Sequence, residues 1–441
     1  MRTLLHFFTA GLVLALAACA NLEPTGPARD KTYAITILHT NDHHGRFWQN
    51  SDGEYGMAAR KTVVDGIRAE VAASGGYSLL LDGGDVNTGV PESDLQDAVP
   101  DFKGMNLLGY DAMAVGNHEF DKSPAVLAMQ RKLATFPMLS ANIYRGGERI
   151  FAPYKLFNLG GVRIAVMGLT TEDTQKLGNP DNMRALEFRS PIQEAAKLVP
   201  ELRAQADVVI AATHMGHYAN GQHGIQAPGD VEMARAVTGL DLVVGGHTQN
   251  PACMKAENVL DSTYVPGTPC QPDRQNGTWI VQAHEWGKYV GRADFQYRNG
   301  AFTLVKYALI PINLKQTAPF AEDPQMLALL QPYQAFGQSK LLVNVGSSDA
   351  RLEGDRSVVR KAPTSLGMLI GQAMMDKSRS DFAFVNAGGI RDSLPAGAIT
   401  YKDILKVQPF GNTLVTLRLT GREVLDYLQV AARMSPGAGG F

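Results

Sequence analysis

One pattern recurs along the chain and limits what it can fold into. An apolar strand ends abruptly in a cluster of polar residues, and a helix or loop follows. Tyr33 to Leu38, rich in β-branched and apolar residues, runs into Asn41, Asp42, His43 and His44. Tyr77 to Leu81 leads to Asp82 and, past two glycines, Asp85; Ala112 to Val115 leads to Asn117, His118 and Asp121. Val208 to Ala212 leads to His214 and His217, and Leu242 to Val244 leads to His247 and Gln249. Arg163 to Leu169 and Trp279 to Ala283 end the same way, in TTED and HEWG. Residues 56–73, 102–108 and 192–206 read as helices, the first with its apolar side chains at amphipathic spacing. Strands alternating with helices predict an α/β domain, and in open α/β sheets ligands gather outside the carboxyl ends of the strands. A lone buried histidine is usually a satisfied core residue. Polar clusters at one strand exit after another are costly to bury unpaired, and a shared metal centre removes that cost.

Asp42, His44, Asp85, Asn117, His214, His247 and Gln249 have the makeup of a two-metal site. Asp42 and His44 stand two apart just past a strand, and an extended backbone at that spacing sends both side chains to one side. Asp85 is the best candidate for a carboxylate that bridges two cations. Mixed imidazole and oxygen ligation favours zinc or manganese, with cobalt or magnesium next. Paired divalent ions hold both oxygens of an in-line phosphoryl displacement and lower the pKa of a bound water. That predicts hydrolysis of a phosphate ester by water, without a covalent intermediate. His118 is expected to meet the substrate phosphate rather than a cation. Asp121, three residues on, would fix its tautomer and favour its charged form; a turn-capping Asp121 is the competing reading.

The chain has 441 residues, 45% of them hydrophobic, and a formal charge of -2. That is enough for one large domain and a smaller one. The charge argues against a nucleic-acid-coating surface, so an anionic substrate must be drawn by a local field. Arg2 precedes an apolar run, Leu4 to Leu16, that is closed by Leu-Ala-Ala-Cys at Cys19. The run is short for a membrane span and reads as an export signal. The closing tetrapeptide resembles a bacterial lipobox, with residues 1–18 as signal peptide, Cys19 as the lipidated residue and 19–32 as a tether. An ordinary signal peptide cut at a small-residue site is the alternative. If Cys19 carries lipid, Cys253 and Cys270 remain as a pair, and in an oxidising compartment a bridge is favoured over two free thiols.

Residues 33–318 are expected to form the large domain and 319–340 a linker helix, with Asp323 as N-cap and Pro324 in its first turn. Residues 341–441 then form a second unit, with a helix at 365–375, a strand at Phe382 to Val385 and a last helix at 422–434. Arg356, Arg360 and Arg391 are candidates for anion recognition, because guanidinium forks match carboxylate and phosphate oxygens. Asn386 and Arg391 flank a glycine turn that a ligand can approach closely. Phe410 is either a base-stacking platform or a core residue.

TNDHHG, DGGD, GNHEFD, THMGH and GGHTQ resemble the five blocks of the calcineurin-like metallophosphoesterases. With NAGGIR and QPFGNT, the chain is similar to the 5′-nucleotidase family from about Tyr33 to its end. The resemblance implies a four-layer α/β/β/α metallophosphoesterase domain followed by a smaller α+β nucleotide-binding domain. It implies one divalent cation on Asp42, His44, Asp85 and Gln249 and another on Asp85, Asn117, His214 and His247. It implies a catalytic dyad of His118 and Asp121. Arg356, Arg360, Asn386, Arg391 and Phe410 would bind the nucleotide from the second domain, which rotates to carry substrate onto the metals. The implied activity is release of phosphate from nucleoside 5′-monophosphates and cleavage of UDP-sugars in the periplasm, by an expected monomer; the family's relatives are soluble there, and the Leu-Ala-Ala-Cys segment departs from them in predicting a membrane contact through a lipid on Cys19 alone. The family's second domain continues beyond the last residue of this chain, so that domain is expected to be incomplete, with the apolar face of the last helix exposed. A 2′,3′-cyclic-nucleotide phosphodiesterase with 3′-nucleotidase activity is an alternative on the same first domain. A non-catalytic, nucleotide-binding surface lipoprotein is another, disfavoured by the intact ligand set.

Overall fold

In the computed structural model of the chain, residues 26–221, 227–315 and 318–434 are described; the lipobox and Cys19 lie outside them. Alternation along the strands dictates the layering. Successive side chains of a strand point to opposite faces, and strands apolar at both parities must be covered on both sides. Tyr33–Thr40 pairs in parallel with Tyr77–Asp82, that strand with Ala112–Ala114, and that one with Met138–Leu139. Tyr289–Arg298 and Ala301–Pro311 extend this sheet antiparallel on the other side of Tyr33–Thr40. In the second sheet Val162–Thr170, Val208–His214, Leu242–Val244 and Thr278–Val281 lie parallel, with antiparallel edges at Tyr154–Leu159 and Asp273–Gln275.

One parity of each sheet packs against the other sheet. Ile35, Ile37, Leu79 and Leu81 share a core with Ile164, Val166, Val208, Ile210, Leu242 and Val244. The other parity of the first sheet, Leu38, Leu80 and Met113, packs under the helices Met57–Ala73 and Val99–Leu108 through Val64, Ile67, Phe102 and Met105. The other parity of the second sheet, Val209, Ala211 and Val243, packs under Pro191–Arg203 and Asp230–Ala236 through Leu198, Leu202 and Val231. The result is the four-layer α/β/β/α arrangement. Each such apolar side chain, fully buried, contributes roughly 1.5–3 kcal/mol. Cys253 and Cys270 are bonded, with Cα atoms 4.9 Å apart.

The linker helix, Pro324–Leu341, begins as expected: the Asp323 carboxylate accepts from the Met326 amide at 2.8 Å. Its Met326 and Leu330 belong to the helix-side core of the first domain, so the linker is anchored there. The second unit is small. Asn344–Ser348 and Gly397–Thr400 pair antiparallel, and Val359, Leu366, Ala387, Ile390, Leu394, Ile399 and Val407 form its core. The strand expected at Phe382 to Val385 is not formed; that segment has no ladder partner among the described residues. Its aromatic and β-branched residues favour a pleated, half-buried surface, but a strand is completed only by a neighbour's hydrogen bonds. On the last helix, Gly421–Met434, Leu425, Leu428 and Val430 are 51%, 49% and 55% exposed.

Candidate metal centre

The polar clusters of both sheets meet where the strands end. His214 Nε2 lies 2.9 Å from Asp85 Oδ2, and His247 Nδ1 lies 3.0 Å from Asn117 Oδ1 and 3.3 Å from His214 Nε2. His44 Nε2 stands 3.8 Å from both Asp42 Oδ1 and Asp85 Oδ2, with the Gln249 amide against it at 2.7 Å. Asp85 thus belongs to two ligand groups: with His214 and His247 on one side, and with His44 and His118 on the other. All seven residues expected to hold metal come together here.

The backbone that brings them together differs from the expected extended form. Asp42 and His44 have φ of 51° and 50°, and Asp85, His247 and Gln249 have φ of 63°, 78° and 58°. The Asp42–His44 turn is curled, with both flanking residues left-handed, and convergence comes from the curl rather than from strand alternation. Left-handed backbone at non-glycine residues costs of order 1–3 kcal/mol each and is kept where the surroundings over-determine it. Glycines let those surroundings close in. A Cβ on Gly116 would overlap Asp85 Oδ1, and one on Gly246 would lie 2.7 Å from the Gly83 carbonyl oxygen.

Hydrogen bonds behind the ligands aim their lone pairs. His44 Nδ1 faces the carbonyls of Asn87 and Thr88 at 3.1 and 2.8 Å, and His214 Nδ1 faces the Gly83 carbonyl at 2.7 Å. Carbonyls only accept, so each Nδ1 carries a proton, and each Nε2 is the nitrogen that can offer a lone pair to a cation. Asp42 Oδ2 accepts from the His247 amide at 2.9 Å and from Asn41 at 2.7 Å. Its Oδ1 is buried and has no hydrogen-bond partner among the described residues. A buried carboxylate oxygen without a donor beside an inward-facing imidazole is what a cation satisfies, so the donor set fits divalent metal ions. Burial alone would push the Asp85 carboxyl up, but the imidazoles of His214, His118 and His44 outweigh it and hold it well below the usual carboxylate range.

His118 stands at the rim of this centre. Its amide donates to Asp85 Oδ1 at 2.9 Å, and its Nδ1 is 2.6 Å from Asp121 Oδ2. Burial favours the neutral ring, yet Asp121 and Asp85 prevail and raise its pKa to about 9. The second unit reaches the same place. Phe410 stacks on the His118 ring at 5.7 Å and 15°, and Arg356 Nη1 donates to Gln249 Oε1 at 2.5 Å. Arg391 lies over the Phe410 ring at 5.5 Å. Burial and neighbouring arginines push Arg360 and Arg391 down to about 10. Asn386 instead caps the glycine turn, accepting from the Gly388 amide at 3.1 Å.

Besides His43, two strand-exit histidines stay outside the ligand groups. His217 is bonded to Asp273 at 2.8 Å, and His284 stacks on Tyr289. Asp82 caps its own turn, accepting from the Gly84 amide at 2.9 Å. The sequence reading passed over Glu119, whose carboxylate collects the amides of Gly116, Val86, Asp85 and Asn87 at 2.7, 2.8, 3.1 and 3.2 Å. It fixes the turn that carries Asp85. Its signal was present: an acidic residue inside the cluster of Asn117, His118 and Asp121.

Two ligand groups sharing one carboxylate, at the carboxyl ends of a sheet sandwich, define a metallophosphoesterase centre. Residues 35–251 match the calcineurin-like phosphoesterases, and residues 344–440 match the 5′-nucleotidase C-terminal domain. The UshA protein of Escherichia coli is 58% identical over 94% of this chain and 79% of its own length. A 5′-nucleotidase of Vibrio cholerae is 54% identical over 98% of this chain and 82% of its own. The crystal structure of a 5′-nucleotidase precursor from Thermus thermophilus matches with a TM-score of 0.75 at 32% identity, covering 93% of this chain and 80% of that one. The chain belongs to the 5′-nucleotidase family.

The close approach at Gly116 yields a test. Gly116→Ala should push the Asp85 carboxylate aside and weaken metal binding about 10–100-fold, the scale seen when a ligand loses its support. Calorimetric metal titration beside a circular dichroism spectrum measures this; unchanged affinity would mean that Asp85 has room to move.

Proposed function

We propose that the protein releases phosphate from nucleoside 5′-monophosphates and cleaves UDP-sugars, using two divalent cations, zinc or manganese, in the buried centre. The observation that carries this reading is the place of Asp85 in both ligand groups, since a pair of cations ~3.5–4 Å apart needs a shared carboxylate. Asp42, His44, Asp85 and Gln249 hold one cation, and Asp85, Asn117, His214 and His247 the other. When bound, the cations neutralise charge on the phosphoryl group and lower the pKa of a water.

The other residues bind and orient. His118 has its Nδ1 taken by Asp121 at 2.6 Å, which leaves Nε2–H to donate to a phosphoryl oxygen or to the departing oxygen. Arg356, Arg360 and Arg391 receive the anionic part of the substrate, Asn386 shapes the turn beside them, and Phe410 offers a face to the base. Phe410 covers His118 while the units are docked, so substrate reaches that imidazole when the second unit swings away.

Purified protein is to be assayed on AMP, UDP-glucose, 3′-AMP and 2′,3′-cyclic AMP, with and without chelator. Turnover of AMP and UDP-glucose is expected, lost on chelation and in Asp85→Ala, where both cations lose their common ligand. Turnover of the cyclic and 3′ substrates alone would establish the phosphodiesterase alternative, and no turnover the binding lipoprotein. His118→Ala should keep both metal equivalents while kcat falls about 10²–10⁴-fold. Loss of an equivalent would make His118 a ligand.

The Cys253–Cys270 bond suits an oxidising compartment, and we place the protein outside the cytoplasm, lipid-anchored through Cys19. Metabolic labelling with a fatty-acid analogue should mark the wild type and not Cys19→Ser; equal labelling would refute the anchor.

A further inference from the structure

His43, between Asp42 and His44, belongs to neither ligand group, yet it is 2% exposed. Its ring is clamped from both sides. Nε2 lies 2.8 Å from Asp101 Oδ1, and Nδ1 lies 3.3 Å from Arg60 Nη2. A guanidinium only donates, so Nδ1 accepts and Nε2–H donates to Asp101. Asp101 is fully buried, and its second oxygen accepts from Ser93 Oγ at 2.5 Å. Arg60 is held in turn: it is 1% exposed and lies so close over Gly287 that a Cβ there would overlap its guanidinium. Two helices, Met57–Ala73 and Val99–Leu108, therefore reach the imidazole through Arg60 and Asp101, and a third, Pro91–Asp94, holds Asp101 through Ser93.

The turn that they grip is held from outside: the Asp42 amide donates to the Gly84 carbonyl at 2.9 Å, the His44 amide to the Asp85 carbonyl at 3.0 Å, and the Trp286 amide to the Asp42 carbonyl at 2.7 Å. Asp42 and His44 are both left-handed, a backbone state that relaxes unless something fixes it. The middle side chain, turned into the protein while its neighbours face the metal centre, is its side-chain anchor, added to those backbone bonds. A packing role alone would be served by any apolar ring of this size. It would not require a buried carboxylate, a buried guanidinium and a hydroxyl arranged to satisfy both ring nitrogens.

The consequence is asymmetric. The turn supplies two of the residues assigned above to one cation, Asp42 and His44. The other cation's ligands, apart from the shared Asp85, come from different strand exits. We propose that His43, locked by Asp101 and Arg60, is a positioning residue that sets the affinity of the Asp42–His44 cation position and leaves the other unaffected. This rests on the two-cation reading of the centre.

The experiment is calorimetric titration of metal-free, full-length protein with Mn²⁺, for the wild type, His43→Leu, His43→Gln and Asp101→Asn. The wild type should take up two equivalents. His43→Leu should bind one of them about 10–100-fold more weakly and the other within twofold of wild type. At saturating Mn²⁺ its KM for AMP should match wild type and its kcat should recover, a split that general destabilisation does not produce. His43→Gln can place an amide N–H where Nε2–H stood, and should regain most of the lost affinity. Asp101→Asn keeps the shape of the pocket and should show a smaller loss at the same position, which decides the matter if His43→Leu does not fold. A wild type that takes up one equivalent refutes the two-cation reading and this proposal with it. With two wild-type equivalents, equal weakening of both in the variants, or weakening of neither, refutes the role of His43 alone.

Discussion

Everything at the site depends on two β-sheets closing onto each other at their carboxyl ends. Hydrogen bonds tie the ends together: His214 Nδ1 reaches the Gly83 carbonyl at 2.7 Å, and Thr170 Oγ1 donates to the Val115 carbonyl at 2.6 Å. Paired glycines let the turns touch, since a Cβ on Gly83 would lie 2.6 Å from the Gly245 carbonyl oxygen. Without that closure, Asp42, Asp85 and Asn117 from one sheet and His214, His247 and Gln249 from the other would line separate edges.

Closure concentrates charge where water is scarce. Buried carboxylates and imidazoles are costly unless they satisfy one another, and most here do so pairwise through fixed backbone amides and carbonyls. The exceptions are informative. Asp42 Oδ1 has no donor among the described residues, and five ligand residues hold left-handed backbone. The interior spends its stability on the geometry of this one corner and recovers it in the apolar layers, where the central strands are buried on both faces.

The α/β class and the strand-exit residues that converge were legible in the sequence, because continuous apolar runs mark the strands and a polar cluster follows each. The four-layer arrangement came from the resemblance to the calcineurin-like metallophosphoesterases rather than from periodicity. What periodicity does not encode was missed. The curl of the Asp42–His44 turn depends on neighbours from other elements. Glu119 acts through backbone amides, which every residue but proline carries, so its acidic side chain in the cluster marked its presence but not its role. His43 looks like a ligand beside two ligands, and only its burial toward Asp101 and Arg60 separates it from them. Phe382 to Val385 has the composition of a strand, but pairing is decided by a neighbour rather than by composition.

The seam between the two units is of a different kind from either core. The linker helix is fastened to the first domain by Met326 and Leu330, while contacts across the seam include Lys402 with the buried Glu92, Arg356 with Gln249, and Phe410 with His118. If such a seam parts, each charge that loses its partner gains water, which offsets part of the lost pairing. Apolar seams release a large heat-capacity change when they part; polar ones respond instead to dissolved ions. Any opening of this seam would therefore shift with the ionic strength of the surroundings. Salt would then act on substrate exchange through contacts, such as that of Lys402 with Glu92, that never touch the cations.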